Sequence, residues 1–173
     1  MSLFVKTVGE MAPWDPRAAR PWMVLAITLV VLDMLTKRLV VANLAYGESI
    51  ALLPVLDLTR LHNTGAAFSL LADQSGWQRW FFSAIAAVVV VALGVLLHRL
   101  ERGASRVLST SYALIMAGAF GNLIDRLQQG YVVDFVHVHW HGWYYPAFNV
   151  ADSAITIGAV LLIYDAIRPP KKG

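Results

Sequence analysis

The sequence has 173 residues, of which 58% are hydrophobic and 14% are charged, and its mean hydropathy is +0.59. Soluble domains are about 45–50% apolar and about 25% charged, so this composition excludes a disordered chain and argues against a soluble domain. The net charge is +3, but the basic residues flank apolar segments, which predicts a membrane protein with no nucleic-acid partner. The absence of cysteine excludes disulfides and thiolate chemistry.

Four stretches are predicted to be transmembrane helices, each of which needs about 20 apolar residues. They cover residues 22–41, 80–97, 107–124 and 150–167. Asp33 and Lys37 interrupt the first stretch. A cleaved signal peptide is the weaker alternative there, because the stretch has no small-residue cleavage pattern. The predicted fold class is an all-α integral membrane protein with four transmembrane helices.

The basic residues predict the orientation of this bundle. Nine of the fourteen Lys and Arg residues lie in three regions that share one side of a four-span bundle: Lys6, Arg17, Arg20, Arg99, Arg102, Arg106, Arg168, Lys171 and Lys172. Because Lys and Arg concentrate in cytoplasmic loops, both termini are predicted to be cytoplasmic. Residues 1–173 are predicted to form one membrane domain, with cytoplasmic segments at 1–21 and 168–173.

The two connections on the opposite, outer side contain strand-like sequence. Residues 52–61 contain strand-like Val, Leu and Thr, and residues 131–140 alternate in part between polar and apolar residues. Both patterns are typical of β-strands. We therefore predict a small β-rich layer at the outer membrane surface.

Polar side chains converge at the same outer end of the predicted bundle. Three predicted helices carry them at helical spacing: Asp33, Thr36 and Lys37, then Asn122, Asp125 and Arg126, then Asn149, Asp152, Ser153 and Thr156. Charged groups inside a membrane are costly and often functional. Two carboxylates held together share a proton, so one can activate water while the other donates a proton, as in aspartic peptidases.

Each of these groups also has a structural interpretation. Asp33 and Lys37 could form an i,i+4 ion pair, and Asn149 with Asp152 could form a capping box. Asp125 and Arg126 could pair at the end of a helix. Asp134 could be a solvated strand residue. Four Asp residues near one membrane level with few cations favour the functional interpretation.

Other chemistries have weaker support. The zinc motif H-E-x-x-H, the nucleophile motif G-x-S-x-G and the G-x-G-D motif of presenilin-like proteases are absent. His137, His139 and His141 alternate, so they would share a strand face and could bind a transition metal, although such runs are more often solvated. A dyad of Ser69 and Lys37 has no positional support.

Two other classes of function remain as alternatives. A proton-coupled carrier could use the intramembrane Asp residues as a relay, but the polar groups lie at one end only and no inverted repeat is present. A non-enzymatic scaffold protein would tolerate Asn at Asp134 and Asp152.

Five short blocks carry a resemblance to a known family. They are DMLTK at 33–37, HNTGAAFS at 62–69, GNLIDR at 121–126, VVDF at 132–135 and FNVADS at 148–153. In their order and spacing the sequence resembles the lipoprotein signal peptidases of bacteria (signal peptidase II). The resemblance implies an inner-membrane aspartic endopeptidase that needs no cofactor or metal. It implies removal of the signal peptide from diacylglyceryl-modified prolipoproteins, with the cut just before the lipidated Cys and the active site near the periplasmic face.

The resemblance also assigns roles to residues. Asp134 and Asp152 would form the catalytic dyad, and a second group would contact substrate or hold the dyad: Asn63, Asn122, Arg126 and Asn149. We expect Asp125 to support the dyad and Gly65 to allow close approach of its backbone to the substrate. Asp33 and Lys37 are expected to form a structural ion pair. Because a helix dipole favours negative charge at its first turn, Asp152 is expected to be ionised and Asp134 protonated. We expect a monomer in contact with membrane lipid.

Overall fold

The computed structural model describes residues 16–65, 76–100 and 105–168. Four helices are present: α1 (Pro16–Asn43), α2 (Trp77–His98), α3 (Arg106–Gln129) and α4 (Val150–Ile167). Four strands connect them at one end: β1 (Ser49–Leu53), β2 (Leu56–Asn63), β3 (Val132–Trp140) and β4 (Trp143–Tyr144). The predicted Ser69, and the basic residues Lys6, Arg102, Lys171 and Lys172, lie outside the described residues.

Helix α3 lies at the centre of the bundle, in contact with α1, α2 and α4. Small residues allow this close packing: a Cβ atom on Gly158 would lie 2.7 Å from Cγ1 of Ile115. Within the described part of the chain, α2 and α4 do not contact each other. The bundle is therefore open along α3 between these two helices.

By length and composition, three of the helices are apolar enough to cross a membrane, namely α2, α3 and α4. Helix α1 has 28 residues, but among the described residues it does not meet the same criterion. It carries three charged residues near its C-terminal end, Asp33, Lys37 and Arg38. The prediction of a helical membrane protein is thus confirmed for three candidate spans, whereas the fourth span stays a prediction.

The strands form one antiparallel sheet in the order β1-β2-β3-β4. It continues from the C-terminal ends of α1 and α3 and leads into the N-terminal end of α4. The first half of β3 is buried, and Val133 and Phe135 pack with Val40 of α1. This packing fixes β3, and with it Asp134, against the end of the bundle.

Several predicted boundaries were wrong, and α1 begins at Pro16 rather than at residue 22 and α2 at Trp77 rather than at residue 80. The single strand predicted at 52–61 is a hairpin of β1 and β2, because Pro54, which has no N–H for a sheet ladder, lies in the turn. Helix α3 extends past residue 124 to Gln129, where Gly130 ends it with a φ of 87°. The predicted helix at 150–167 agrees with α4, and the predicted strand at 131–140 agrees closely with β3.

The predicted histidine face is also wrong. His137 and His139 lie in β3, but His141 lies in the following turn with a φ of 47°. The three side chains therefore do not share one strand face. Within residues 16–65, 76–100 and 105–168, no group of three or more His, Asp or Glu residues could hold a metal ion.

Candidate active site

Asp134 lies on β3 and is held by two side-chain amides. Nδ2 of Asn63 donates to Oδ2 of Asp134 at 2.9 Å, and Nδ2 of Asn149 donates to Oδ1 at 2.7 Å. Asp134 is only 3% exposed. Both carboxylate oxygens thus accept a hydrogen bond in a place from which water is nearly excluded.

Asp152 lies in the first turn of α4, and its position follows from the way the helix begins. Oδ1 of Asn149 accepts from the backbone N of Asp152 at 2.9 Å, while Oδ2 of Asp152 accepts from the backbone N of Asn149 at 3.2 Å. This is a reciprocal capping box. The other oxygen of Asp152 accepts from Nδ2 of Asn122 on α3 at 2.7 Å.

The side chain of Asn149 therefore links the carboxylate of Asp134 to the first turn of α4, in which Asp152 lies. Its amide nitrogen binds Asp134, and its amide oxygen holds the backbone of Asp152. Its side chain is fully buried. A structural capping box and a site with two carboxylates are thus one arrangement, and the two interpretations of the sequence do not exclude each other.

The ionisation of Asp134 is strongly perturbed. Burial, followed by the negative charge of Asp152, raises the pKa of Asp134 from 3.8 to about 7. The hydrogen bonds from Asn63 and Asn149 oppose this shift but do not cancel it. The direction agrees with the expectation that Asp134 is the protonated member of the pair.

A buried cluster of charges lies beside the two carboxylates. Nζ of Lys37 lies 2.8 Å from Oδ2 of Asp33 and 3.0 Å from Oδ2 of Asp125. The same nitrogen donates to Oδ1 of Asn122 at 3.1 Å. Because that amide oxygen is occupied by Lys37, its nitrogen is directed at Asp152. The i,i+4 pair of the sequence analysis is present, but it belongs to a larger cluster.

The pairing expected for Asp125 with Arg126 was wrong. Asp125 faces Lys37, and it also accepts from the backbone N of Val133 at 3.2 Å. Asp33 similarly accepts from the backbone N of Ala151 at 2.9 Å. Each of these carboxylates therefore ties a helix to a neighbour of the site, Asp125 to β3 and Asp33 to α4.

Arg126 and Gly65 meet the same aromatic side chain. The guanidinium of Arg126 lies 5.5 Å from the ring centre of Phe82 on α2. Among the described residues, the buried Nε atom of Arg126 has no hydrogen-bond acceptor. Gly65 has a φ of 100°, and a Cβ atom there would overlap Phe82. Packing on Phe82 and backbone conformation therefore explain this glycine, and the close approach of a substrate is not tested.

An open groove reaches Asp152 along the N-terminal part of α4. It is lined by Tyr145, Phe148, Asp152, Ser153, Thr156 and Ile157. No role was predicted from the sequence for the aromatic residues of this groove or for Phe82. Phe148 lies within the FNVADS block, so it could have been found, whereas nothing in the local sequence marks Phe82.

Comparisons with known proteins place most of the chain in one family. The family model for signal peptidase (SPase) II matches residues 25–168. The lipoprotein signal peptidase of Pseudoalteromonas translucida (strain TAC 125) is 52% identical over 145 residues, which are 84% of this chain and 87% of that protein. The chain belongs to the signal peptidase II family. It is therefore a peptidase, and the resemblance found in the sequence is confirmed.

One further relative and one solved structure are also similar to this chain. The lipoprotein signal peptidase of Pseudomonas aeruginosa (strain UCBPP-PA14) is 50% identical over 155 residues, which are 88% of this chain and 91% of that protein. A solved structure, described as a bacterial membrane enzyme determined by the in meso method at 1.9 Å resolution, superposes with a TM-score of 0.76. It is 32% identical and covers 87% of this chain and 95% of its own.

Proposed function

We propose that this chain removes the signal peptide from diacylglyceryl-modified prolipoproteins and cuts just before the lipidated Cys, with Asp134 and Asp152 as the catalytic pair. The observation that carries this proposal is the side chain of Asn149, whose nitrogen donates to the carboxylate of Asp134 and whose oxygen accepts from the backbone N of Asp152. Membership in the signal peptidase II family supports the same substrate class.

The two carboxylates have different roles in this mechanism. Asp152 stands at the positive end of the α4 dipole and accepts hydrogen bonds from Asn122 and Asn149, so it is the carboxylate that takes a proton from water. Asp134, whose pKa is raised to about 7, holds a proton near neutral pH and gives it to the scissile carbonyl or the leaving amine. No covalent intermediate or metal takes part in this scheme.

The open side of the bundle supports a route for the substrate. Because α2 and α4 do not contact each other in the described residues, an apolar signal helix can lie against α3 between them. Its cleavage site then reaches the level of Arg126 and Asp152. The lipid chains of the modified Cys stay in the bilayer, so the distance between them and the pair selects the bond that is cut.

We also propose that α1 is a fourth span and that both termini are cytoplasmic. Asp33 and Lys37 are 1% and 2% exposed, so the charges of α1 face α3 and α4 rather than lipid. The outward face of α1 carries exposed Ile27, Val31 and Leu35. With four spans, the basic flanks lie on the cytoplasmic side of the inner membrane and the sheet lies on the periplasmic side.

The proposed unit is residues 1–173 as one membrane domain acting as a monomer in contact with lipid. Both members of the catalytic pair come from one chain, and so do the groups that hold them. A second copy is therefore not needed to complete the site.

The test is cleavage of a defined precursor by the purified protein in lipid nanodiscs. The same prolipoprotein is supplied with and without its diacylglyceryl group, and the products are identified by mass spectrometry. We expect a cut just before the Cys in the lipidated precursor only. An intact lipidated precursor, or equal cleavage of both forms, would contradict the proposal.

A further inference from the structure

The end of the sheet that lies farthest from Asn63 exposes a group of large apolar side chains. Two turns meet there, at residues 54–55 and 141–142, and the backbone N of His139 donates to the carbonyl of Val55 at 2.9 Å. The large apolar and aromatic residues exposed beside these turns, which we call the tip patch, are Leu52, Leu53, Pro54, Trp140, Trp143 and Tyr144, and the polar His141 is exposed between them.

The chemistry of the tip patch is not that of a water-facing loop. Trp140 and Trp143 are 63% and 62% exposed. Residues 49–55 and 138–146 contain no Asp, Glu, Lys or Arg. Contiguous exposed apolar surface marks an interaction site, and Trp and Tyr are the residues enriched where a membrane meets water.

The position of the tip patch identifies its partner as lipid. The sheet lies at the end of the bundle where α2 and α4 begin, and the first turn of α2 exposes Trp77, Trp80 and Phe81 at that same end. These aromatic residues indicate the interfacial level of a helix that is apolar enough to span a bilayer. The sheet and these aromatic residues therefore lie at the same end of the bundle.

We propose that the tip patch inserts into the boundary between headgroups and acyl chains of the leaflet at this end of the bundle and anchors the sheet to it. This inference rests on the proposed function only in that both require the bundle to lie in a bilayer. The aromatic rings bury their apolar faces, and their N–H and O–H groups reach the headgroups.

The anchor has a consequence for the site. Trp140 and Asp134 lie on the same strand, six residues apart, which is about 20 Å at the usual rise of a strand. The other end of β3 is fixed by its packing against α1. With both ends held, one in the protein and one in lipid, β3 keeps Asp134 at a constant depth relative to the acyl chains of the substrate.

The absence of cysteine from the sequence allows a direct test by spin labelling. Single Cys residues are introduced as Leu53→Cys and Trp143→Cys in the full chain, labelled with a nitroxide and placed in nanodiscs of phosphatidylcholine and phosphatidylglycerol. The relaxation of the nitroxide by oxygen, which concentrates in lipid, is compared with its relaxation by a water-soluble nickel chelate. The lipid control is Val91→Cys on the exposed face of α2, and the water control is Arg106→Cys at the start of α3.

We expect both tip labels to resemble Val91→Cys in their preference for oxygen, with a smaller contrast because they lie near the surface. A nickel response equal to that of Arg106→Cys would overturn the proposal, since the tip would then face water. Low response to both agents would also overturn it, because the patch would then be covered by protein, such as a second copy. The measurement needs no turnover, so a failure of the proposed peptidase activity would not affect it.

Discussion

Nδ2 of Asn149 lies 2.7 Å from Oδ1 of Asp134, although one residue begins a helix and the other lies within a strand. The same side chain supplies the N-cap of α4 through its other atom, Oδ1. One side chain therefore caps helix α4 and also holds Asp134 beside the first turn of that helix. This coupling makes separate predictions for stability and for catalysis.

Replacing Asn149 by Ala should lower both stability and activity. Loss of an N-cap costs about 1 kcal/mol, and loss of the amide also removes the hydrogen bond that Nδ2 of Asn149 donates to the carboxylate of Asp134. The matched control is Ser105→Ala, because Ser105 caps α3 through the backbone N of Leu108 but lies at the other end of the bundle.

The two variants are compared by thermal unfolding and by turnover of a lipidated precursor. We expect similar losses of stability, whereas turnover should fall roughly hundredfold or more in Asn149→Ala only, within the range for acid–base groups. Equal turnover in the two variants would show that Asn149 is only a cap.

Activity should fall as the pH rises through about 7. The pKa of Asp134 is raised from 3.8 to about 7 by burial and by the charge of Asp152, and the mechanism needs its proton. The pH profile of kcat should therefore lose activity on the alkaline side of neutrality, approaching tenfold per pH unit. A rate that stays constant from pH 6 to pH 9 would contradict this role of Asp134.

The same shift makes stability depend on pH in a defined direction. Because the pKa of Asp134 is higher in the folded state, its contribution is complete below about pH 4 and is lost as the pH rises to about 7. Asp134→Asn removes this titration. Its melting temperature should therefore change less than that of the parent between pH 5 and pH 8, and an equal change in both proteins would count against the raised pKa.

Replacing Asp33 by Asn should mainly harm stability. Removal of one partner from a buried ion pair costs roughly 3–5 kcal/mol, and the lower end applies because Lys37 keeps Asp125 at 3.0 Å. A suitable control is Arg168→Gln, which breaks a more exposed pair with Asp165 and should cost at most about 1 kcal/mol. A variant Asp33→Asn that is fully stable but inactive would contradict this division of roles.

A methyl group at Gly121 should disrupt the same cluster from the other side. A Cβ atom there would lie 2.5 Å from Oδ2 of Asp33, and forced overpacking costs about 1–3 kcal/mol. Gly94→Ala is the control, because its Cβ would meet only Sδ of Met116, at 3.7 Å, and Ala favours the helix by up to about 1 kcal/mol. Thermal unfolding should show a lower melting temperature for Gly121→Ala than for Gly94→Ala. Equal stability would show that the side chains around Asp33 can move to make room for the methyl group.

Local patterns in the sequence were sufficient for the helices and for one boundary in particular. Helix α4 begins at Val150 as predicted, because Asn149 and Asp152 carry a capping signal within four residues. The turn between β1 and β2 also had a local signal in Pro54, which the strand prediction did not use. The end of α3 was missed because Asp125 and Arg126 resemble a polar helix end, whereas Asp125 is buried and paired.

Long-range pairing could not be predicted in the same way. Lys37 contacts both Asp125 and Asn122. No local sequence pattern specifies which polar residues of the other helices Lys37 will contact. The contact of Arg126 with Phe82 depends on how α2 packs on α3, and apolar residues at helical spacing fit many partners equally well. Sequence reasoning therefore found the residues of the candidate site, while their hydrogen-bond partners came from the structure.

The central claim is that Asp134 and Asp152 perform the cleavage, and one measurement tests it most directly. Turnover of a lipidated precursor is measured for Asp134→Asn and Asp152→Asn, with Asp57→Asn as the matched control, since Asp57 lies on β2 and binds His139 at 3.2 Å. All three variants should insert and fold. We expect no detectable product from the first two and parental turnover from Asp57→Asn. Cleavage by either dyad variant at a rate close to that of the parent would contradict the mechanism.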